Sequence, residues 1–204
     1  MINKGLFVTF EGIDGCGKTT QMKLLAEYLT NHGYEVVITR EPGAKGLGEK
    51  IRDILLHYDG EVSSKAESFL FLADRAQHID KLVNPSVKEG KIVLCDRHTD
   101  STIAYQGYGR GVDIEQLNVL NSLAVGNRVP DLTFVFDIDV ETSMSRVGSE
   151  MDRMEASGKE FFNKVRQGYL DIAASEPERV KVIDAKRSVS EISREVVQIV
   201  SEMM

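Results

Sequence analysis

The chain has 204 residues, 42% hydrophobic and 28% charged, enough for one sizeable core and ordinary for a soluble globular protein. Its formal net charge of -7 argues against nucleic acid or an anionic membrane as the main partner. No apolar run approaches the roughly 20 residues of a membrane span, and two cysteines make neither a disulfide framework nor a metal pair, so a reducing cytoplasm is the expected compartment.

Residues 1–5 lead directly into Leu6–Phe10, a short apolar run that reads as a buried strand without a preceding signal peptide. Gly12-Ile13-Asp14-Gly15-Cys16-Gly17-Lys18-Thr19-Thr20 follows, and then Met22, Leu25, Ala26 and Leu29 recur at helical spacing. Strand, glycine-rich loop and helix are the setting in which this spacing cradles phosphate. Gly12, Gly15 and Gly17 free the backbone to turn its N–H groups inward, and the positive end of the helix adds to them. Lys18 is expected to reach the outer phosphates and Thr19 to offer its hydroxyl to Mg²⁺.

Gly33 stops the first helix and Glu35–Thr39 reads as a second strand, broken at Arg40-Glu41-Pro42-Gly43. A helix is expected over Leu47–Leu56 and a longer one from Lys65 to Val83, ending near Asn84-Pro85. Lys91–Cys95 is the third strand, followed by a short helix at Ser101–Tyr105 and a glycine-rich loop over Gln106–Gly111. Ile114–Val125 is helical and Leu132–Phe136 is the fourth strand. Val140–Val147 and Lys159–Ala174 flank a polar segment, Gly148–Gly158; Val180–Ile183 is the last strand and Val189–Val200 the last helix. This alternation predicts an α/β protein of one domain, residues 1–204, with a five-stranded parallel sheet between two helical layers.

In such sheets ligands sit past the carboxyl ends of the strands. Arg40-Glu41, Asp96-Arg97 and Asp137 stand there. Asp96 is favoured over Asp137 as the aspartate that supports Mg²⁺, because Arg97 beside it adds a phosphate donor. Asp137 remains open as that partner or as a cap for the next helix. Phe71 and Arg75, four apart, share a helix face that His78 continues; spacing alone favours a core ring and a surface cation, while the pair also suits stacking on a base and bonding its edge. The segment from Arg146 to Glu155 holds Arg146 and Arg153, and reads as a mobile lid at about 146–158 or as a plain charged hairpin.

Taken in order, five segments resemble the thymidylate kinase family of P-loop kinases: Phe10–Thr20, Thr39–Gly43, Phe71–Arg75, Asp96-Arg97-His98 with Ala104–Gly107, and Asp152–Glu155. The resemblance runs over essentially the whole chain. It implies a P-loop NTPase fold, transfer of phosphate from ATP with Mg²⁺ to dTMP in dTTP synthesis, and a homodimer. By this resemblance Gly12 to Thr20 and Lys186 hold ATP, while Thr19 and Asp96 serve the metal. Arg40 holds the dTMP phosphate, Phe71 stacks on thymine and Arg75 bonds its carbonyl edge. Tyr105 crowds the sugar 2′ position, with Ser101, Thr102 and Gln106 nearby. Asp14 sits at the acceptor sugar and Arg97 bridges the two phosphate ends. Gly15 stands where some members carry a catalytic arginine, which implies that the lid supplies it through Arg153 or Arg146. The rivals are a kinase of another nucleotide and a nucleotide switch; Asn163-Lys164-Val165-Arg166 lacks the aspartate that guanine-reading switches use.

Overall fold

The computed structural model of the chain describes residues 5–146 and 158–204. Five apolar, β-branched or aromatic runs form parallel strands: β1 (Leu6–Glu11), β2 (Val36–Arg40), β3 (Ile92–Asp96), β4 (Leu132–Asp137) and β5 (Val180–Asp184). Their spatial order is β2-β3-β1-β4-β5. The chain therefore leaves β1 toward one edge of the sheet and returns to pair β4 on its other side. That reversal opens a crevice past the carboxyl end of β1, where α/β sheets bind ligands.

Nine α-helical segments are described: α1 (Lys18–Asn31), α2 (Leu47–His57), α3 (Ser64–His78), α4 (Asn84–Lys88), α5 (Thr99–Thr102), α6 (Ile114–Val125), α7 (Val140–Arg146), α8 (Gly158–Ser175) and α9 (Val189–Ser201). Alternate residues of the central strands serve opposite faces, as the two-residue period requires. Phe7, Val93 and Cys95 pack with Ile79, Val83 and Val125. Leu6, Val8, Phe10 and Leu94 pack with Met22, Leu25 and Leu29 of α1 and Ile192, Val196 and Val200 of α9. β1 is buried along its whole length, which suits a parallel strand covered on both faces. β2 lies at the edge and leaves Ile38 half exposed.

Two expectations fail at proline and glycine. The helix from Ser64 does not stop before Pro85; a π-helical turn, Ile79–Val83, joins α3 to α4. Pro85 lacks an N–H and crowds the preceding turn, and the wider π turn leaves it room at the start of α4. The glycine-rich stretch after Tyr105 is not a loop either: Ile103–Gly109 is a π-helical segment continuous with α5. Packing decides this. Gly107 lies against Ile114 and Leu117 of α6, and Gly168 of α8 lets that helix approach Ala104 and Tyr108; a Cβ on Gly168 would come within 2.8 Å of the Tyr108 ring.

Candidate functional site

Gly12, Gly15 and Gly17 have φ values of +138°, +76° and +91°, and a Cβ at Gly12 would stand 2.8 Å from the Phe136 carbonyl oxygen. Only glycine meets both demands. α1 begins at Lys18 with no side-chain cap on its first turn. Its unspent N–H groups and the positive end of its dipole form an anion site. Lys18 is buried and its Nζ lies 3.4 Å from Asp14 Oδ1 and 4.0 Å from Asp96 Oδ1. Thr19 and Thr20 are exposed at the helix start. Thr19 Oγ1 donates to Asp96 Oδ2 at 2.9 Å, and Asp96 Oδ1 is buried with no hydrogen-bond partner. Asp137, the other strand-ending aspartate, is taken by Arg166 in a two-point pair at 2.6 and 2.9 Å. Of the two candidates, Asp96 is the one that faces the loop.

Next to the loop opens a cleft of about 600 Å³, open mouth included. Asp14, Arg97, Ser101, Thr102, Tyr105 and Gln106 line one side; Phe71 and Arg75 of α3 line another; Glu41, Pro42, Arg52 and Leu56 complete it. Arg97 joins the loop to this cleft. Its φ of +70° is unusual for a residue with a side chain. The strained turn is held by its own N–H on the Phe10 carbonyl at 3.0 Å. Its Nη2 donates to Asp14 Oδ1 at 2.7 Å, and its Cζ sits 4.8 Å from the centre of the Tyr105 ring. Burial would raise the Asp14 carboxyl, but the charges of Arg97 and Lys18 win and hold it well below the usual carboxylate range.

Arg75 is 1% exposed, so the surface reading of it falls. Four of its five N–H groups are committed: Nε to Glu41 Oε2 at 2.8 Å, Nη1 to Thr102 Oγ1 and Asn121 Oδ1 at 2.7 and 2.6 Å, and Nη2 to the His98 carbonyl at 2.8 Å. The anion at the centre is Glu41. Its Oε1 accepts from Nδ1 of His78 at 2.7 Å and of His98 at 3.0 Å. Burial works against the charged Glu41, yet it is held well below its ordinary value by His98, Arg75 and the hydrogen bonds it accepts. Burial also pushes the His98 imidazole down, toward its neutral form, so Arg75 is the lasting cation of the group. Among the described residues, Glu41, His78 and Cys95 are close enough to suggest a metal site. Each is already engaged: His78 Nε2 meets Thr39 Oγ1 at 2.9 Å, and Cys95 Sγ donates to the Arg97 carbonyl at 3.1 Å.

The structure thus brings together Asp14, Lys18, Thr19 and Asp96 at the loop, and Phe71, Arg75, Arg97, Ser101, Thr102, Tyr105 and Gln106 at the cleft. Arg40 is exposed at the end of β2 and is not among the lining residues. Lys186 follows β5 and pairs with Asp139 at 2.9 Å. Arg146, the last residue of α7, reaches the Gly15 carbonyl with Nη1 at 3.5 Å. Arg153 lies outside the described residues. Several partners were not foreseen. Ser143 of α7 donates to the Asp14 carbonyl at 2.5 Å, Glu67 accepts from Gln106 Nε2 at 3.0 Å, and Arg52 donates to the Pro42 carbonyl at 3.0 Å. Glu11 had one visible signal, a carboxylate closing an otherwise apolar strand. Tyr169 had none, since it falls with Val165 and Ala173 on an apolar helical stripe.

A family model described as thymidylate kinase matches residues 10–196. The chain belongs to the thymidylate kinase family. It is 50% identical to the thymidylate kinase of Pelotomaculum thermopropionicum, over 98% of this chain and 95% of that one. With the enzyme of Thermoanaerobacter sp. strain X514 the identity is 43%, over 98% of this chain and all of the other. The crystal structure of thymidylate kinase from Ehrlichia chaffeensis superposes with a TM-score of 0.80 at 40% identity, covering 96% of this chain and 98% of that one. The five-stranded parallel sheet with its glycine loop is accordingly a P-loop NTPase fold. The chain is an enzyme, a kinase that phosphorylates dTMP on the way to dTTP.

Proposed function

We propose that the chain moves a phosphoryl group from ATP, bound with Mg²⁺ on the loop Gly12–Thr20, onto the 5′-phosphate of dTMP lying in the cleft. The observation that carries this reading is Arg97, whose guanidinium stands between Asp14 of the loop and the Tyr105 ring of the cleft. The acceptor oxygen of a phosphate is already anionic, so catalysis rests on positioning and charge neutralisation rather than on a strong base. Lys18 and the amides of the loop hold the donor phosphates, and Arg97 faces donor and acceptor together. Phe71 stacks on the base, Arg75 offers its remaining N–H to a carbonyl of the base, and Tyr105 borders the sugar with Asp14. Arg40, Ser101, Thr102 and Gln106 complete the acceptor set, Arg40 by turning toward the phosphate once it is bound. Lys186 belongs to the donor side.

Thr19 and Asp96 fit Mg²⁺ by chemistry: both offer hard oxygen, and the buried Asp96 Oδ1 lacks any hydrogen-bond partner. When bound, that ion neutralises charge on the transferring phosphates. Thr19 would hold it through a hydroxyl lone pair while its hydrogen stays on Asp96, which would orient the site. Gly15 offers no charge of its own, so the further cation comes from Arg146 or Arg153, in the stretch 146–158 assigned as a lid to this single catalytic domain. Among the described residues no helix is long and apolar enough to cross a membrane; separately, two buried free cysteines suit a reducing compartment such as the cytoplasm. α3 and α6 pack on one another and expose Phe69, Val119 and Leu123, a surface suited to a homodimer.

The test is a coupled ADP-release assay with dTMP, dUMP, dCMP, AMP and thymidine as acceptors, with and without Mg²⁺. Clear preference for any acceptor other than dTMP overturns the assignment of the cleft.

A further inference from the structure

The side of Arg97 that faces away from Asp14 is anchored by Ser101, of the acceptor set, and by Tyr169, which has no assigned part in the reaction. Arg97 Nη1 donates to Tyr169 Oη at 3.2 Å and to Ser101 Oγ at 3.4 Å. Behind both hydroxyls lies Glu11, fully buried at the end of β1. Its Oε2 accepts from Ser101 Oγ at 2.5 Å and from Tyr169 Oη at 3.1 Å, and its Oε1 accepts the His98 N–H at 2.7 Å. The two hydroxyls are themselves 2.8 Å apart.

The direction of these bonds follows from the groups. A guanidinium only donates, and Glu11, once ionised above about pH 7, only accepts. A hydroxyl between them must turn its hydrogen to the carboxylate and its lone pairs to the guanidinium. Glu11 therefore orients both hydroxyls so that each meets Arg97 as an acceptor. Ser101, counted above with the acceptor set, meets a ligand with its hydrogen already spent. Tyr169 belongs to α8, 158 residues from Glu11 in the chain. Gly168 beside it allows α8 to lie close enough to Ala104 for the phenol to reach this spot. Arg97 is left with three restraints: Asp14 on one nitrogen, the hydroxyl pair on the other, and the Tyr105 ring against its plane. A guanidinium used on two phosphates gains from such restraint, because misaligned charge stabilises the transition state less.

We propose that Tyr169, oriented by Glu11, is a positioning residue that fixes the guanidinium of Arg97 for phosphoryl transfer. This rests on the reading that Arg97 faces both phosphates. Tyr169→Phe keeps the ring and removes only the hydroxyl. It should lower kcat with dTMP about ten- to hundredfold, the usual worth of one hydrogen bond to a charged group. KM for ATP and the melting temperature should stay near those of the parent. Glu11→Gln should act in the same direction, since one amide oxygen cannot accept from both the hydroxyl pair and the His98 N–H. The deciding measurement is the double-mutant cycle with Arg97→Ala. In that background Tyr169→Phe should cost less than about twofold in kcat, because the group it positions is gone. Equal losses in both backgrounds, or a lowered melting temperature with unchanged kcat, would overturn the proposal in favour of a packing role. Near-normal turnover of Arg97→Ala alone would instead sink the reading of Arg97, so the two failures are distinguishable.

Discussion

Arg75 and Glu41 illustrate how much a single buried charge can organise. Arg75 enters the cleft with nearly all of its donors spent on protein, so it can present only a small, fixed part of itself to a ligand. The acceptor that makes this possible is Glu41, which also holds His78 and His98. Removing it strands a buried guanidinium and two imidazole N–H groups. Glu41→Ala should therefore cost about 3–5 kcal/mol of stability, the usual result of breaking a buried ion pair from one side. Urea unfolding checks this; a loss under about 1 kcal/mol would mean that Arg75 finds another acceptor. Lys18 presents the opposite case. It is buried against the carboxylates of Asp14 and Asp96, and under the proposed function its value lies in binding the donor. Lys18→Ala should cut kcat by at least about a hundredfold, on the scale of losing one transition-state donor, while the melting temperature moves little. Near-normal turnover would count against the phosphate loop as the donor site.

At the level of elements, the site depends on close approaches that side chains would block. Gly48 lies in the first turn of α2, where a Cβ would stand 2.4 Å from Asp74 Oδ1 and 3.3 Å from the Gly43 backbone. Asp74 Oδ1 in turn accepts the Gly43 N–H at 3.3 Å, tying α3 to the turn that follows Glu41. On an open helix, glycine to alanine adds about 0.5–1 kcal/mol of stability. Here the sign should reverse. Gly48→Ala should push α2 from the turn, lower the melting temperature and raise KM for dTMP, since Arg52 and Leu56 of α2 line the cleft. Thermal unfolding and a dTMP titration measure both, and a stabilised variant with unchanged KM would contradict this account of the packing. The two π-helical segments make a related point: one accommodates Pro85, and the other carries Tyr105 and Gln106 into the cleft.

Across the whole molecule, buried carboxylates of opposite tendency set the pH response. Asp14 and Glu41 are held below their ordinary range, so their contribution is present above about pH 4 and is lost as acid protonates them. Glu11 is raised to about 7 by burial and by Asp100, against Ser101, Arg97 and the His98 N–H, with Tyr169 facing it from α8. Asp74 is raised to about 6 by burial and by Glu41, against Gly43, His78 and Arg75. Between their unfolded values, near 4, and these raised ones, the folded protein holds protons that the unfolded chain has released. Stability contributed by these two groups therefore falls as pH rises from about 4.5 to 7. Urea unfolding across that range should show the decline, and Glu11→Gln should flatten it. An unchanged slope in that variant would mean that Glu11 is not its source. At the same scale, the apolar side chains exposed on α3 and α6 predict that Leu123→Glu shifts the proposed dimer to monomer in analytical ultracentrifugation. A parent that is monomeric at micromolar concentration would remove the basis of that expectation.

The phosphate loop, the five strands and the alternation with helices were legible along the chain because each depends on local spacing: glycines where the backbone must turn, and apolar residues at a period of two or near four. Between Asp96 and Asp137 the chain offered only Arg97 beside the first; the structure adds that Arg166, 29 residues away, pairs with Asp137 while Thr19 of the loop donates to Asp96. Helix boundaries at Pro85 and Gly107 were misread, because packing against β3 and α6 outweighed local propensity there. What only the tertiary structure decided is how charge is held inside the fold. Glu11 with Tyr169, and Glu41 with Arg75, His78 and His98, lie between 34 and 158 residues apart. A buried carboxylate can be stable only where several remote donors converge on it, and no local pattern in a sequence records that convergence.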